Sequence, residues 1–502
     1  MRLMRAMTVH SIAFISLGSL MVSGCAIKPE ALSYSEFSAF AQQRRAVVTA
    51  HQEPLRGPLT LLEAMARALK YNLDKEVEEM QAVVAHQQLR VAHFALLPGA
   101  VANSGYTDRN NYAGGSSVQI TGPTTLGPQS LTSSTSSERE VRSSDIRFSW
   151  HILDFGLSYI RARQAADQVL IAQETKRRVV TRLLENVRTA YWRAVSAARL
   201  ERRLKALEGR VVRALADATA VEKAGKSSPL TALGYERELV EIQRELRKLG
   251  GELSGAKAQL AALANLDPGV SYEVAIPVRY VAPRDLALPV DQMISTALEH
   301  RSELREVAYR KRINAHDAEA AILQMLPGIS LEASPAWSSN SFLYNSNWIT
   351  WGAQASWNLI NVFSYPARRA EVEAKDALLD ARALAVTMAV MTQVHVSRAR
   401  VFHARRDYDT ADHYYNVQQK ILRHIRSSLD GGSVSEQTAI REEMNTLVAM
   451  VKRDMAFAEV QSAAAGLLAS MGLAPGENLD ASGMSVSDIE WAIASGTEVA
   501  AR

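Results

Sequence analysis

The sequence predicts a mainly α-helical fold that carries a membrane β-barrel. Long antiparallel helices form an α-barrel, and each chain contributes four β-strands to a barrel shared between copies. Three observations carry this reading: a two-fold internal repeat, helical runs of unusual length, and amphipathic strand pairs at corresponding places in the two copies.

The repeat is a matter of register. FSWHILDFG at 148–156 is answered by ASWNLINVF at 355–363, so Ser149-Trp150 recurs as Ser356-Trp357, an offset of 207 (356 − 149). AGKSSPLTAL (224–233) matches GGSVSEQTAI (431–440), and LAALANLDPG (260–269) matches LLASMGLAPG (467–476), both at that offset. Upstream, Leu97-Pro98-Gly99 matches Leu326-Pro327-Gly328 at 229 (326 − 97). The first copy therefore holds 22 extra residues (229 − 207) between Gly99 and Phe148, in a stretch rich in Ser, Thr and Gly. Surface loops accept such insertions at small entropic cost, and a register kept over this length marks a duplication.

Each copy reads helix, strand, loop, strand, long helix, tight turn, helix. The first spans 59–269, with strands at about 99–108 and 141–150 and a long helix at about 155–224. A linker covers 270–287. The second copy spans 288–476, with strands at about 328–338 and 347–357 and a long helix at about 364–430. Residues 1–24 read as a signal peptide, 25–58 as an extended N-terminal segment and 477–502 as a C-terminal tail.

The elements follow from local chemistry. LTLLEAMARALKYNLD offers Thr60 as cap and Glu63 three residues on, a capping-box spacing, and Pro98 ends that first helix. In the last strand Ile349, Trp351, Ala353, Ala355 and Trp357 fall on one face, and Thr350, Gln354 and Ser356 on the other. Period two over about ten residues suits a half-buried sheet or a bilayer-spanning strand. Leu157–Glu208 and Ala367–Asp430 lack Gly and Pro altogether. The second run alone, 64 residues, makes a rod of roughly 95 Å. Its counterpart carries a narrow apolar stripe at Val180, Leu184, Val187, Tyr191 and Val195. Asp154 in copy one, and Asn361 or Ser364 in copy two, are placed to cap these rods.

Composition and motifs narrow the function. A net charge of +4 with no basic run interleaved with aromatics excludes a nucleic-acid partner. Arg2 and Arg5 precede an apolar run, Val9–Val22, that is too short for a membrane span and suits a signal core. Val22-Ser23-Gly24-Cys25 resembles the bacterial lipobox, which implies lipid attachment (palmitate) at Cys25; Ala26 in place of an Asp implies export to the outer membrane. Cys25 is the sole cysteine, so no internal disulfide or thiol site exists. No other run reaches 18 apolar residues, so a mature chain that crosses a membrane does so with strands. Gly225-Lys226-Ser227 has the end of a phosphate loop, but Ala220 stands where its first Gly belongs and a helix precedes it. There is no H-E-x-x-H, G-x-S-x-G or G-x-G-x-x-G, and the 11 His are scattered, so neither an enzyme nor a metal or cofactor is expected. Four strands cannot close in lipid, where open edges leave backbone groups unpaired, so the chain must associate.

LTLLEAMARALKYNLD, the ALLPG junction, SWHILDFG before a long helix and the AGKSS turn resemble the TolC-like outer-membrane efflux proteins, from about Leu59 to Gly476. The resemblance implies a homotrimer with a twelve-stranded barrel in outer-membrane lipid. It implies an exit duct of a tripartite efflux or type I secretion system that passes substrates from periplasm to exterior. A periplasmic adaptor and an inner-membrane transporter would be its partners. The hairpin tips, with Gly225, Thr231, Asp430, Gly431, Glu436 and Thr438, would narrow the periplasmic end. Many relatives carry an Asp where this chain has Thr231 and Thr438; Asp430 and Glu436 lie close by. Trp150, Phe155, Trp351 and Trp357 are the expected membrane-interface aromatics, and the 110–140 loop the extracellular one. A lipid-anchored periplasmic coiled-coil scaffold without a pore remains the alternative. The cargo, and whether the partner is proton-driven or ATP-driven, stay open.

Overall fold

The computed structural model describes residues 29–50, 52–223, 229–267, 271–277, 288–474, 476 and 479–500. Residues 1–24, Cys25 and Gly225 lie outside the described residues. The chain divides into two compact units, Met1–Pro54 and Leu55–Arg502. In the first, the segment expected to be extended holds helix α1 (Tyr34–Val47). Ser33 Oγ accepts from the Glu36 N–H, and the Glu36 carboxylate accepts from the Ser33 N–H. That reciprocal cap satisfies two otherwise orphaned donors and starts the helix.

In the second unit the elements run α2 (Leu61–Tyr71), α3 (Leu73–Phe94), β1 (Gly99–Asp108), β2 (Gly114–Gly115), β3 (Val118–Gly122), β4 (Thr125–Gln129), β5 (Ser134–Thr135) and β6 (Glu140–His151). Then come α4 (Ile152–Lys223), α5 (Pro229–Leu263), α6 (Val290–His300), α7 (Ser302–Leu323), β7 (Gly328–Ser338), β8 (Asn347–Ser356), α8 (Leu359–Asp430), α9 (Glu436–Ser470) and α10 (Val486–Ala500). Helices α4 and α8 have 72 residues each, about 108 Å of rod.

Four features differ from the sequence reading. The first helix of each repeat is broken. Asn72 is extended (φ −68°, ψ 125°) and its side chain accepts from the Lys75 N–H, so it ends α2 and caps α3. Arg301 makes the same break between α6 and α7 without a side-chain cap. Second, α8 starts at Leu359, capped by Asn358 Oδ1 on the Ile360 N–H, rather than by Asn361 or Ser364. Asp154 lies inside the first turn of α4, where a carboxylate meets the positive end of the helix. Third, the 110–140 stretch is not a plain loop: β2 pairs with β5 and β3 with β4, prolonging the β1–β6 hairpin. Fourth, the expected tail contains α10, whose Val486, Ile489 and Ile493 are buried.

The broken helices stack end to end with the returning ones. Helix α3 flanks α4 near the sheet, where Glu79 accepts from Lys176 (2.7 Å), and α5 flanks it farther down, where Lys257 reaches Glu201 (3.0 Å). Burial alone would lift the Glu79 carboxyl, but hydrogen bonds from Lys176 and Lys75 hold it below the usual carboxylate range. Between α4 and α8, α7 fills the upper half and α9 the lower. Arg312 grips buried Asp167 (2.9 and 3.0 Å) at the α7 level, and Thr189 meets Ser462 (2.8 Å) at the α9 level. The result is a wall four helical columns wide: α3/α5, α4, α7/α9, α8.

Three apolar clusters hold it. The lowest joins Leu200, Leu207 and Val211 of α4 to Leu239, Leu246, Ile440 and Leu447. Another joins Met293 and Ala297 of α6 to Val390, Val394, Val460 and Leu467. The largest forms a belt midway down α4, where Val180–Val195 pack on α2 and α10. Trp192 meets Phe457 edge-on at 5.0 Å across the α4–α9 seam. At the belt, Leu59 pairs with Val274, and the Tyr191 hydroxyl donates to the Ala275 carbonyl at 2.8 Å.

Burial pushes the Tyr191 phenol up to about 12. The fold favours its neutral form, so this contribution is intact below about pH 10, the ordinary tyrosine value, and is lost as the pH climbs towards 12. Tyr191→Phe is expected to cost about 1 kcal/mol at neutral pH, by leaving the Ala275 carbonyl unpaired, and to flatten the alkaline fall in stability. Thermal melts of both proteins between pH 8 and 12 check this; parallel alkaline limbs would refute it.

Candidate functional site: a two-faced sheet and the hairpin tips

The four long strands form one antiparallel sheet in the order β1-β6-β7-β8. Register decides what each face carries. One face aligns Ala100, Phe148, Ala333 and Trp351, and Ala102 with Ile146. It also holds Trp150 against Leu331 against Ala353, Ile329 against Ala355 and Pro335 against Ile349. Two hydroxyls on this face, Ser104 and Ser144, bond each other at 3.2 Å. The opposite face aligns Asn103 with Asp145, Val101 with Arg147, Ser149 with Glu332 with Gly352, and Ser330 with Gln354. Asn103 Nδ2 donates to Asp145 at 3.0 Å. Apart from Trp348 on the polar face and Arg142 beside Tyr106 at the far end of the other, apolar and polar side chains separate across one sheet, whose apolar face nothing among the described residues covers. Trp351 is 77% exposed.

The predicted interface aromatics occupy two levels. Trp150 and Phe155 meet edge-on at 5.9 Å where β6 passes into α4. Trp357, just past β8, donates its Nε1–H to the Met325 carbonyl at 2.9 Å, at the same end of the sheet. Trp351 instead lies mid-strand, opposite Ala333. The far end of the apolar face carries Tyr106 and Trp337, which sequence reasoning missed. The alternation of β7, with Trp337 in phase with Leu331, was the available signal.

At the other end of the wall, α8 turns into α9. Gly431 is the cap residue (φ −83°), and Gly432 takes the left-handed conformation (φ +72°). The Ser433 N–H donates to Ser428 O (2.9 Å) and the Gly432 N–H to Leu429 O (2.9 Å), the paired closure that satisfies the last carbonyls of a helix. Asp430 is the exposed last residue of α8. Thr438 is occupied in capping: its N–H donates to Ser435 Oγ (3.3 Å), and its hydroxyl lies 3.1 Å from that oxygen. Thr231 lies in the first turn of α5.

The tip is tied to its neighbours by charge. Arg210 of α4 pairs with Glu443 and stands 3.8 Å from Glu436. Arg426 also holds Glu443 (3.1 Å), while Glu238 of α5 accepts from Arg441 (3.3 Å) and Gln437 (2.8 Å). Apart from Arg426–Glu443, 17 positions apart across the turn, these pairs join residues about 200 or more positions apart, so no local pattern announces them. Among the described residues no group of three or more His, Cys, Asp or Glu is placed to hold a metal ion.

Arg210→Ala is expected to free the α8–α9 tip, raising amide hydrogen exchange across 426–444 several-fold while the belt around Tyr191 stays protected. Gly432→Ala is expected to cost about 1 kcal/mol, because a Cβ strains a left-handed residue. Unchanged exchange in Arg210→Ala would show that the Arg210 ion pairs do not hold the tip.

No protein-family model matches the chain, and no curated protein matches it by sequence. Solved structures do match. The CmeC outer membrane channel of Campylobacter jejuni superposes with a TM-score of 0.65 at 14% identity, covering 89% of this chain and 94% of that one. CusC, described for transmembrane channel formation, gives 0.61 at 18% identity, over 85% and 96%. The MtrE outer membrane channel of Neisseria gonorrhoeae gives 0.58 at 15%, over 81% and 89%. Across almost their full length, the fold of this chain is the fold of outer-membrane channels.

Proposed function

We propose that this protein is the outer-membrane exit duct of a tripartite efflux or type I secretion system, working as a homotrimer with a twelve-stranded barrel. The observation that carries the reading is the two-faced sheet. Strands β1 and β8 are its open edges, each paired on one side only within the chain. In lipid an open edge leaves several kcal/mol of unmet hydrogen bonding per group, and closure removes it. Copies of the same chain supply the missing edge, β8 of one against β1 of the next. The resemblance in the sequence and the shared fold of outer-membrane channels support three copies. The charged side chains assign the faces: Asp145, Arg147 and Glu332 belong to a water-filled bore, and the Trp- and Leu-bearing face to lipid.

The helical wall supports the same assembly. Leu378, Leu384, Met388 and Val396 of α8 stand exposed on one flank, and Val77, Met80 and Val84 of α3 on the other. An 18-residue stretch within α8 has the length and apolarity of a membrane span. It belongs to a rod several times longer than a bilayer is thick, so a neighbouring protomer's α3 is the cover proposed for it. The rods then continue the barrel as an α-barrel into the periplasm, with a lipid on Cys25 anchoring each chain. The tips meet a periplasmic adaptor, and the inner-membrane transporter supplies the energy.

The test is the mass of the purified protein in detergent together with its current in planar bilayers. A trimer with discrete ion-conducting steps is expected. A monomer without current would favour the scaffold reading. Palmitate labelling that disappears in Cys25→Ala is expected as well; labelling that persists would refute the anchor.

A further inference from the structure

The polar face of the β1–β6 pair continues past the end of the sheet. The Arg109 N–H donates to the Arg139 carbonyl at 3.1 Å, one step beyond the Asp108–Glu140 pair. Alternation along the two strands therefore puts Arg109 and Arg139 on the face that carries Asn103, Asp145 and Arg147. Like charges directly opposite each other destabilise a strand pair, so two guanidiniums in register invite an anion between them.

Nothing in the chain supplies that anion. Both arginines are exposed, and neither meets a carboxylate among the described residues. Arg139 donates its Nε–H to the Arg109 carbonyl at 3.1 Å, and its Cζ lies 6.0 Å from the centroid of the Tyr112 ring. The nearest acid on the same face is Asp145, six residues along β6 (145 − 139). That is about 20 Å along the strand, roughly two Debye lengths at 0.1 M salt. At the rim, Asp108 and Glu140 alternate to the opposite face, where Arg142 lies beside Tyr106. Glu138 is turned to the β7–β8 connection and accepts from the Ser341 hydroxyl. Residues 110–137 contain no Asp, Glu, Lys, Arg or His, so the ladder above the pair brings no charge to it.

We infer that Arg109 and Arg139 form a binding site for the phosphate groups of a soluble polyanion, which enters the outer mouth from outside and occludes it. Guanidinium forks match phosphate oxygens in bidentate fashion, and two forks facing each other across one strand pair suit one tetrahedral group. The Tyr112 ring and the Arg109 carbonyl already restrain the Arg139 guanidinium, so less freedom is lost on binding. Binding needs only one chain. Occlusion rests on the trimeric duct reading, in which three such pairs form a ring at the end of the bore away from the helices. Linked phosphates then engage more than one pair at once, and a lone phosphate only one. The pair stands on the bore face, so the phosphate comes from solution and not from a lipid headgroup.

The probe is sodium tripolyphosphate. Calorimetric titration of the full-length protein in detergent, in KCl near 0.1 M, is expected to show saturable binding that weakens as salt rises. Arg109→Gln with Arg139→Gln is expected to weaken it about ten-fold or more, and Arg142→Gln, on the opposite face, to leave it unchanged. In planar bilayers of phosphatidylcholine, tripolyphosphate is expected to cut the wild-type current from one side only, and the double variant to conduct without being blocked. Adding phosphatidic acid to the membrane, with no tripolyphosphate, is expected to leave the current unchanged. A drop there would make lipid the phosphate source and overturn the inference. Wild type that does not bind, or a double variant that binds equally well, overturns the site and leaves the duct standing. Binding by a protein that forms no channel overturns the duct and the occlusion, and leaves the phosphate site standing.

Discussion

A row of unpaired backbone N–H and C=O groups along β1, and another along β8, is the constraint on which everything else depends. Water can satisfy such a row; hydrocarbon cannot. The alternation of side chains through the sheet gathers apolar groups on one face and most polar ones on the other, the division that a wall between lipid and water requires. A wall with free edges is incomplete, and the chain has no further long strand among its described residues to finish it. In the duct reading proposed above, a second copy of the chain supplies the missing edge. The same demand is met locally on the apolar face, where the Ser104 and Ser144 hydroxyls satisfy each other.

The helical wall meets a different demand. Rods of about 108 Å cannot be stabilised by propensity alone; they need partners along their length. Each long rod is accompanied by two shorter helices stacked end to end, and the junctions fall where the buried belt lies. Breaking α2 from α3 lets α2 build that belt, and breaking α6 from α7 lets α6 pack into the separate cluster with Val390 and Val460, while α3 and α7 continue along the rods. The belt holds the densest apolar packing around α4, and Tyr191 ties it to the strand-like 271–277 segment.

The sequence made the repeat, the strand pairs and the rods legible because each is a periodic or registered signal. The alternation in β8 revealed its face, and extending it to β7 would have located Trp337. The breaks were harder to see. Asn72 is a good capping residue, but the helical pattern runs across it without interruption. Arg301 has no capping chemistry, and it is found only through the duplication, being 229 residues after Asn72 (301 − 72). The tip network, Arg210 with Glu443 and Glu238 with Arg441, joins side chains that become neighbours only after four helices have packed, and no spacing encodes it. At the tip, Gly432 carries the left-handed turn rather than Gly431; two adjacent glycines are equivalent on paper and differ only in hydrogen-bond geometry. In α10 the three- and four-residue spacing of Val486, Ile489 and Ile493 was readable, but a position after the last repeat disguised it as a tail.

The two repeats differ most at the end of the sheet away from the helices. There the extra residues of copy one rise as a ladder through β2–β5 and β3–β4, and their base is clasped by the short β7–β8 connection. Asn340 accepts from the Glu138 N–H (3.2 Å) and donates to Ser136 O (3.1 Å). The crest of that ladder, between Gly122 and Thr125, belongs to neither the sheet nor the wall. A peptide epitope or fluorophore-binding tag spliced there would sit beyond the clasp, outside the paired residues of the long strands. The extra residues of the first copy thus offer a place for a label that leaves the four long strands and the helical rods untouched.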